Sequence, residues 1–182
     1  LPLSLPFDKV RYSLSDPLYI AIDGGGTGTR VGLYDEAGNK LSQTRGAFSN
    51  PHQAAPHAAA QELVALATSL LQGKSAETVV VLAGISGARD KATRDIFAHT
   101  LCGNMPSAKQ VIVTTDVHAH LLANANKQSS ALVISGTGSS IAVLNANRSA
   151  HIFGGRGPIL GDDGSAYDLA VIALRLCFAE KD

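Results

Sequence analysis

Near its N-terminus the chain reads Asp23-Gly24-Gly25-Gly26-Thr27-Gly28-Thr29-Arg30, between the apolar runs 18–22 and 31–34. Short runs rich in β-branched and aromatic residues on either side of a glycine cluster predict a β-hairpin. Without Cβ atoms the turn lets a ligand approach its backbone, and converging amides bind anions, phosphate above all. A tight glycine hairpin without any ligand is the alternative interpretation of this stretch alone.

The same hairpin carries side chains that suit a phosphate group and a metal ion. Thr27 and Thr29 add hydroxyl donors to the amides of the turn. Asp23 ends the first predicted strand, where its carboxylate can face a metal ion or the waters of that ion. The predicted phosphate-binding residues are Gly25, Gly26, Thr27, Gly28 and Thr29.

Three other phosphate-binding motifs are excluded. A Walker loop needs a glycine five residues before its Gly-Lys-Ser, and Thr68 occupies that place before Gly73-Lys74-Ser75. The Rossmann fingerprint needs a third glycine where Thr29 stands, followed by a helix rather than a strand. The protein-kinase set needs a catalytic-loop His-Arg-Asp, which the sequence lacks.

Composition narrows the class of protein. The 182 residues are 45% hydrophobic and 16% charged, which suits one globular domain or a two-domain fragment. Fifteen basic residues balance 15 acidic ones, so no basic field attracts nucleic acid or an anionic membrane. No apolar run reaches the roughly 20 residues of a membrane span. Cys102 and Cys177 lack metal or redox spacing, which favours a reduced, cytoplasmic protein.

Hydrophobic periodicity predicts an α/β unit in the first two thirds of the chain. Residues 1–16 are expected to be a leader or extension, and residues 17–127 the first domain. Three strands in succession, followed by strands alternating with helices, predict a mixed sheet covered on both faces. Strands are predicted at 18–22, 31–34, 40–45, 78–85 and 110–115, and helices at 56–72, 89–102 with Gly103 as its stop, and from 116 to about 126.

A second unit is predicted from residue 128 to residue 182. Strands at 131–135, 141–145 and 149–153 precede a glycine-rich loop at 154–164 and a helix at 165–180. The turn Gly136-Thr137-Gly138-Ser139 repeats the chemistry of the opening hairpin. Because one small sheet and one helix cannot bury their own apolar faces, this unit is expected to be incomplete. The chain is therefore expected to be part of a longer ordered protein or a self-associated species such as a homodimer.

Asp116 is the candidate catalytic residue. It directly follows the buried strand predicted at 110–115, and ligands of open α/β sheets bind at the carboxyl ends of the strands. A lone aspartate in that position is often only a helix N-cap. Two phosphate-binding hairpins flank Asp116 in the sequence, and this favours a catalytic role.

Five stretches in order carry a resemblance to a known family: 23–29, 82–87, 114–116, 135–140 and 154–166. The chain resembles the sugar-kinase branch of the actin-like ATPase superfamily, and specifically the N-acetylglucosamine kinase family, which is grouped with BadF-type ATPases. The resemblance implies two ribonuclease-H-like lobes with a mixed five-stranded sheet in the first lobe. It also implies that ATP and sugar bind in the cleft between the lobes.

The resemblance further implies transfer of the ATP γ-phosphoryl group to a sugar 6-hydroxyl, with Asp116 as general base. Mg²⁺ would bridge the β- and γ-phosphates, with Asp23 as an outer-sphere partner. Phosphates would be held by the first hairpin and by Gly136, Thr137, Gly138 and Ser139. The sugar pocket implied by the family contains Asn50, Ser86, Asp116, Gly155, Arg156, Gly157 and Asp162.

Some of these assignments leave alternatives open. The run Asp162-Asp163-Gly164-Ser165 could cap the following helix, and the expected division is that Asp163 caps while Asp162 faces the sugar. Arg156 is either a sugar or phosphate ligand or a plain surface residue. His118 and His120 lie two apart on a predicted helix and share no face, so no metal site is predicted there.

Two other functions compete with an amino-sugar kinase. A BadF-type activator ATPase would need cysteine thiolates for an iron–sulfur cluster, and neither Cys102 nor Cys177 is placed for one. A non-catalytic sugar or nucleotide sensor would not need a base at Asp116. The sequence leaves open whether the sugar is glucosamine, N-acetylglucosamine or N-acetylmuramic acid.

Overall fold

A computed structural model describes residues 16–74, 77–124, 129–136, 138–146 and 150–179. These residues divide into two compact units, with the boundary between Ala119 and His120. Each unit contains its own β-sheet. Within the described ranges no helix is both long enough and apolar enough to cross a membrane.

The N-terminal unit is built on a mixed five-stranded sheet in the order β3-β2-β1-β4-β5. β1 pairs antiparallel with β2, which pairs antiparallel with β3, whereas β4 and β5 run parallel to β1. The predicted mixed α/β sheet is therefore confirmed. Its elements are β1 (Leu18–Gly24), β2 (Thr29–Tyr34), β3 (Lys40–Gly46), α1 (Pro56–Leu71), β4 (Val79–Ile85), α2 (Lys91–Asn104) and β5 (Ala108–Thr114), followed by α3 (Asp116–Asn124), within which the boundary between the units falls.

The register of the three parallel strands fixes what lies at their carboxyl ends. Asp23 of β1 is level with Gly84 of β4, which is level with Thr114 of β5. With strands about 4.8 Å apart, this row is roughly 10 Å wide. The glycine hairpin, the turn after β4 and the start of α3 therefore all leave the sheet at one edge.

Both long helices of this unit pack on the same face of the sheet. Pro56 stands at the start of α1, where its fixed φ and missing N–H suit the first helical turn. Leu63 of α1 and Phe97 of α2 are fully buried in one core with Val31 and Val81. On the opposite face the first turn of α3 lies against Gly84 of β4, while Leu82 of the same strand is 39% exposed. Helices therefore lie on both faces, and the second face is covered only in part.

The C-terminal unit contains a three-stranded antiparallel sheet in the order β6-β7-β8, followed by one helix. Its elements are β6 (Ser130–Ser135), β7 (Ser139–Leu144), β8 (Ala150–Gly154) and α4 (Ala166–Ala179). Among the described residues α4 has no buried side chain. The apolar side chains of this helix are thus exposed, with Leu169 and Leu176 more than half exposed.

One predicted helix end is wrong for a local reason. Helix α2 begins after Asp90, whose carboxylate accepts the backbone N–H of Thr93 at 2.8 Å as an N-cap. It continues through Gly103 to Asn104, and Gly103 keeps a negative φ. A glycine stops a helix when it takes the left-handed conformation after the last turn, and Gly103 does not.

Candidate active site

The first hairpin has the geometry of an anion-binding turn. The amide of Gly25 donates to the carbonyl of Gly28 at 3.0 Å, which closes the turn, and Ser49 N donates to Gly25 O at 3.2 Å. In the described part of the chain, the amides of Gly26 and Thr27 have no hydrogen-bond acceptor. Free amides in a glycine turn are the donors that a phosphate oxygen requires.

Thr29 does not have the role predicted for it. Its side chain is only 2% exposed, and its hydroxyl donates to the hydroxyl of Ser49 at 3.0 Å. The hydroxyl therefore ties the hairpin to the loop that follows β3 and does not reach a ligand. Thr27, by contrast, is exposed at the tip of the turn.

Asp23 has a carboxylate that suits an indirect metal contact. Its Oδ2 lies 3.3 Å from a guanidinium nitrogen of Arg30, and its side chain is 42% exposed. No group of three or more His, Cys, Asp or Glu residues that could hold a metal occurs among the described residues. One accessible carboxylate fits Mg²⁺, which keeps several waters and takes its other ligands from phosphates.

Three loops converge beside this hairpin. The amide of Ser86 donates to Gly24 O at 2.7 Å. A Cβ at Gly87, whose φ is +84°, would lie 2.6 Å from Asn50 Oδ1, and one at Gly26 would lie 3.8 Å from Asn50 Nδ2. The predicted sugar-site residues Asn50 and Ser86 are thus brought together with the hairpin.

Asn50 is oriented by its own loop. Its Oδ1 accepts the amide of His52 at 2.9 Å, which leaves the Nδ2 donors pointing away from that bond. The side-chain amide of Gln53 lies 3.6 Å from the position a Cβ would take at Gly26. Sequence reasoning missed Gln53, and its only signal was a second amide side chain three residues after Asn50.

Asp116 is the first residue of α3, but it does not cap that helix. The cap is Thr115, whose hydroxyl accepts the amide of His118 at 3.2 Å and whose carbonyl accepts the amide of Ala119 at 3.0 Å. Among the described residues, the half-buried carboxylate of Asp116 makes no hydrogen bond or ion pair. Thr115 therefore fills the N-cap position, which was the main structural alternative to a catalytic role for Asp116.

The close approach of α3 to the sheet depends on Gly84. A Cβ at this position would lie 3.3 Å from the Cα of Asp116 and 2.8 Å from the Cβ of Ala119. Because Gly84 has no side chain, the first turn of α3 can rest directly on β4. This contact holds Asp116 at the carboxyl edge of the sheet.

The second hairpin is closed and braced in the same manner as the first. Gly136 N donates to Gly138 O at 2.9 Å, and Gly136 O accepts the amide of Ala166 at 2.8 Å. The hydroxyl of Ser139 donates to Asp163 O at 2.6 Å, so this hydroxyl is not free for a ligand. A Cβ at Gly136 would meet no heavy atom of the described residues within 4 Å. Thr137, predicted to bind phosphate, lies outside the described residues.

Asp162 links this hairpin to the glycine-rich loop. Its Oδ1 accepts the amide of Gly157 at 3.2 Å, and its Oδ2 lies 2.7 Å from the position of a Cβ at Gly138. Gly155 and Gly157 both have positive φ, which a side chain would strain. Arg156 between them is exposed. Asp162 therefore lies against two of the other predicted residues, Gly138 and Gly157.

Ser165, and not Asp163 as predicted, caps the N-terminus of α4. Ser165 is fully buried, and its hydroxyl accepts the amide of Asp168 at 3.2 Å. In return Asp168 Oδ2 accepts the amide of Gly164 at 2.8 Å. This reciprocal pair is a variant of the capping box, and serine three residues before an acidic residue was its signal in the sequence.

A mixed sheet in the order β3-β2-β1-β4-β5, with a glycine hairpin after β1 and a helix that starts at the carboxyl end of β5, has the architecture of the actin-like ATPases. The model of the BadF/BadG/BcrA/BcrD ATPase family matches residues 20–182. The chain belongs to this family, and ATP is the nucleotide that the family implies. The predicted family resemblance is confirmed.

Two curated proteins that resemble this chain are named as N-acetylglucosamine kinases. The chain is 26% identical over 166 residues to an N-acetylmuramic acid/N-acetylglucosamine kinase of Clostridium acetobutylicum, covering 90% of the chain and 54% of the relative. It is 26% identical over 182 residues to an N-acetyl-D-glucosamine kinase of Dictyostelium discoideum, covering 93% and 56%. The chain thus spans about half the length of the curated relatives it matches.

A solved structure confirms the fold class. The crystal structure of a candidate N-acetylglucosamine kinase from Chromobacterium violaceum matches with a TM-score of 0.68 and 26% identity. The match covers 87% of this chain and 56% of that one. The ribonuclease-H-like, actin-like ATPase fold expected from the sequence is therefore the observed one.

Proposed function

We propose that this chain forms the nucleotide-binding and catalytic part of an ATP-dependent amino-sugar kinase that phosphorylates the 6-hydroxyl of N-acetylglucosamine or glucosamine. The relatives named as N-acetylglucosamine kinases support the reaction class. The observation that carries the proposal is the carboxylate of Asp116, which is free of the cap role and held at the carboxyl edge of the sheet. We propose the lobes at 17–127 and 128–182, and the cytoplasm as the compartment.

Asp116 acts as the general base in this proposal. Its carboxylate accepts the proton of the sugar hydroxyl as the oxygen attacks the γ-phosphorus, and ADP leaves on the opposite side. A positioned base of this kind contributes typically about 10²–10⁴-fold to the rate. The rigid start of α3, capped by Thr115 and resting on Gly84, keeps the carboxylate in place for the transfer.

Phosphate binding is assigned to the two hairpins. The free amides of Gly26 and Thr27, with the exposed Thr27 hydroxyl, donate to phosphate oxygens. Gly136 offers open space where a phosphate can approach the backbone. Asp23 would hold Mg²⁺ through its waters, and the ion would offset the negative charge of the phosphates.

The remaining site residues are proposed to recognise the sugar. Asn50 Nδ2 and the hydroxyl of Ser86 are short polar groups that can read sugar hydroxyls. In the C-terminal unit the carboxylate of Asp162 orders the Gly155–Gly157 loop, and its remaining acceptor capacity is assigned to a sugar hydroxyl. Several glycines of that loop have a positive φ, and because they carry no side chain a sugar can approach their backbone closely.

A coupled assay of ADP release tests the proposal with the full-length protein. N-acetylglucosamine, glucosamine and N-acetylmuramic acid are supplied in turn with ATP and Mg²⁺, and the product is located by phosphorus NMR. We expect ADP release that depends on an amino sugar and a phosphate on its 6-oxygen. If the rate of ADP release is the same with and without each sugar, and the protein shows the visible absorption of an iron–sulfur cluster, it would instead be an activator ATPase.

A further inference from the structure

Three hydrogen bonds lock the corner at which β5 becomes α3. Besides the two made by the Thr115 cap, Nδ1 of His118 and Oγ1 of Thr114 lie 2.8 Å apart in a side-chain hydrogen bond. Thr114 is the last residue of β5 and is buried. The bond therefore ties the first turn of the helix to the end of the strand, and Asp116 lies between its two ends.

The other side of the His118 ring is closed to solvent. Its Nε2 is buried and has no hydrogen-bond partner among the described residues. The guanidinium of Arg94, held by the carbonyls of Ala88 and Arg89, acts on the ring from α2. Whichever nitrogen carries the proton in the neutral ring, a second proton would add a buried charge beside a cation.

We propose that His118 is a positioning residue for Asp116: its neutral ring, bonded to Thr114, fixes the first turn of α3 and with it the direction of the Asp116 carboxylate. The inference rests on the proposed function for its kinetic consequence. It goes beyond packing because the ring makes a specific bond across the corner that carries the base. A misplacement of about 1 Å at a reacting group can cost on the order of 10²-fold in rate.

The charges around the ring give the role a pH dependence. Burial, and then the charge of Arg94, lower the pKa of His118 from its ordinary value of 6.5. Asp116 and His120 lie on α3 two residues before and after His118, so they project from different sides of the helix. Thr114 and Gly84, on the neighbouring strands, carry no charge. As pH falls below about 6.5, the unfolded chain takes up this proton before the folded chain does, so the corner loses stability.

Three variants separate positioning from packing. His118→Asn keeps a nitrogen that can bond to Thr114 but cannot titrate, and His118→Ala removes the bond. His120→Asn is the matched control, because His120 is exposed on the same helix. We expect His118→Ala to lower kcat about 10- to 100-fold with an unchanged KM for ATP. We expect His118→Asn to keep most of kcat and to lose the decline of kcat that the wild type shows below pH 6.5.

A measurement without substrate accompanies the kinetics. Nitrogen-15 NMR of the wild-type protein should show His118 titrating below 6.5, with the amide resonance of Asp116 shifting along the same curve and not shifting in His118→Asn. Three results would overturn the inference: a pKa of His118 that is not lowered, an Asp116 amide resonance that does not shift as His118 titrates, or equal kinetic effects of His118→Ala and His120→Asn. A wild-type protein without phosphotransfer would contradict the proposed function, and the NMR curves would still decide the inference.

Discussion

Replacement of Gly136 by valine is a clean test of phosphate binding by a hairpin. Among the residues that the structure describes, none has an atom within 4 Å of a Cβ at this position, and the backbone φ is not positive. Gly136→Val should therefore change the free energy of unfolding by less than about 0.5 kcal/mol. If a phosphate oxygen occupies that space, the side chain displaces it. Loss of one charge-assisted hydrogen bond costs about 1.5–3 kcal/mol, which corresponds to roughly 10- to 150-fold weaker ATP binding.

Isothermal titration calorimetry with ATP and Mg²⁺ measures this effect in the full-length protein. The first hairpin is a poorer place for the same test, because a Cβ at Gly25 would lie 3.0 Å from Gly28 O and disturb the turn itself. Gly103→Ala is the matched control, since that glycine also faces open space, within α2. Unchanged ATP affinity in a folded Gly136→Val protein would refute the assignment of this turn to phosphate.

Three further variants test single structural assignments. Thr29→Val should lower the free energy of unfolding by about 1–2 kcal/mol in urea denaturation, because it removes the buried bond to Ser49, and nucleotide affinity of the folded protein should stay within twofold. A selective loss of affinity would restore the phosphate role first predicted for Thr29. Ser165→Ala should cost about 1 kcal/mol through loss of the α4 cap, and an unchanged denaturation midpoint would mean that another group caps the helix. Gly103→Ala should stabilise by about 0.5–1 kcal/mol, and destabilisation would show that the position is not a plain helix interior.

Much of the fold could be predicted because it depends on local patterns. Apolar runs bounded by glycine and aspartate give the strands, and helical spacing from Leu63 to Leu71 gives α1. The common edge of the site also follows from chain order, since parallel strands β1, β4 and β5 place their carboxyl ends together. The face on which a helix packs does not follow from its own periodicity: α1 and α2 share one face of the sheet, whereas the first turn of α3 lies against Gly84 on the other.

The candidate site shows a similar limit. Residue type identified Thr29 and Ser139 as phosphate donors, but partners distant in sequence use their hydroxyls. Thr29 bonds to Ser49, twenty positions away, and Ser139 bonds to the carbonyl of Asp163. Asp116 was predicted from its position, whereas its freedom from the cap role depends on Thr115 and became visible only in the structure.

The rate of sugar phosphorylation by Asp116→Asn tests the central proposal most directly. Single-turnover transfer from saturating ATP to N-acetylglucosamine is compared in the full-length wild type, in Asp116→Asn, and in Asp95→Asn, whose exposed pair with Lys91 contributes little. Because Thr115 caps α3, the Asp116 variant should stay folded and bind ATP within about twofold of wild type. We predict a rate lower by about 10²–10⁴-fold for Asp116→Asn and an unchanged rate for the control. Near-normal transfer by Asp116→Asn would contradict the assignment of Asp116 as the base.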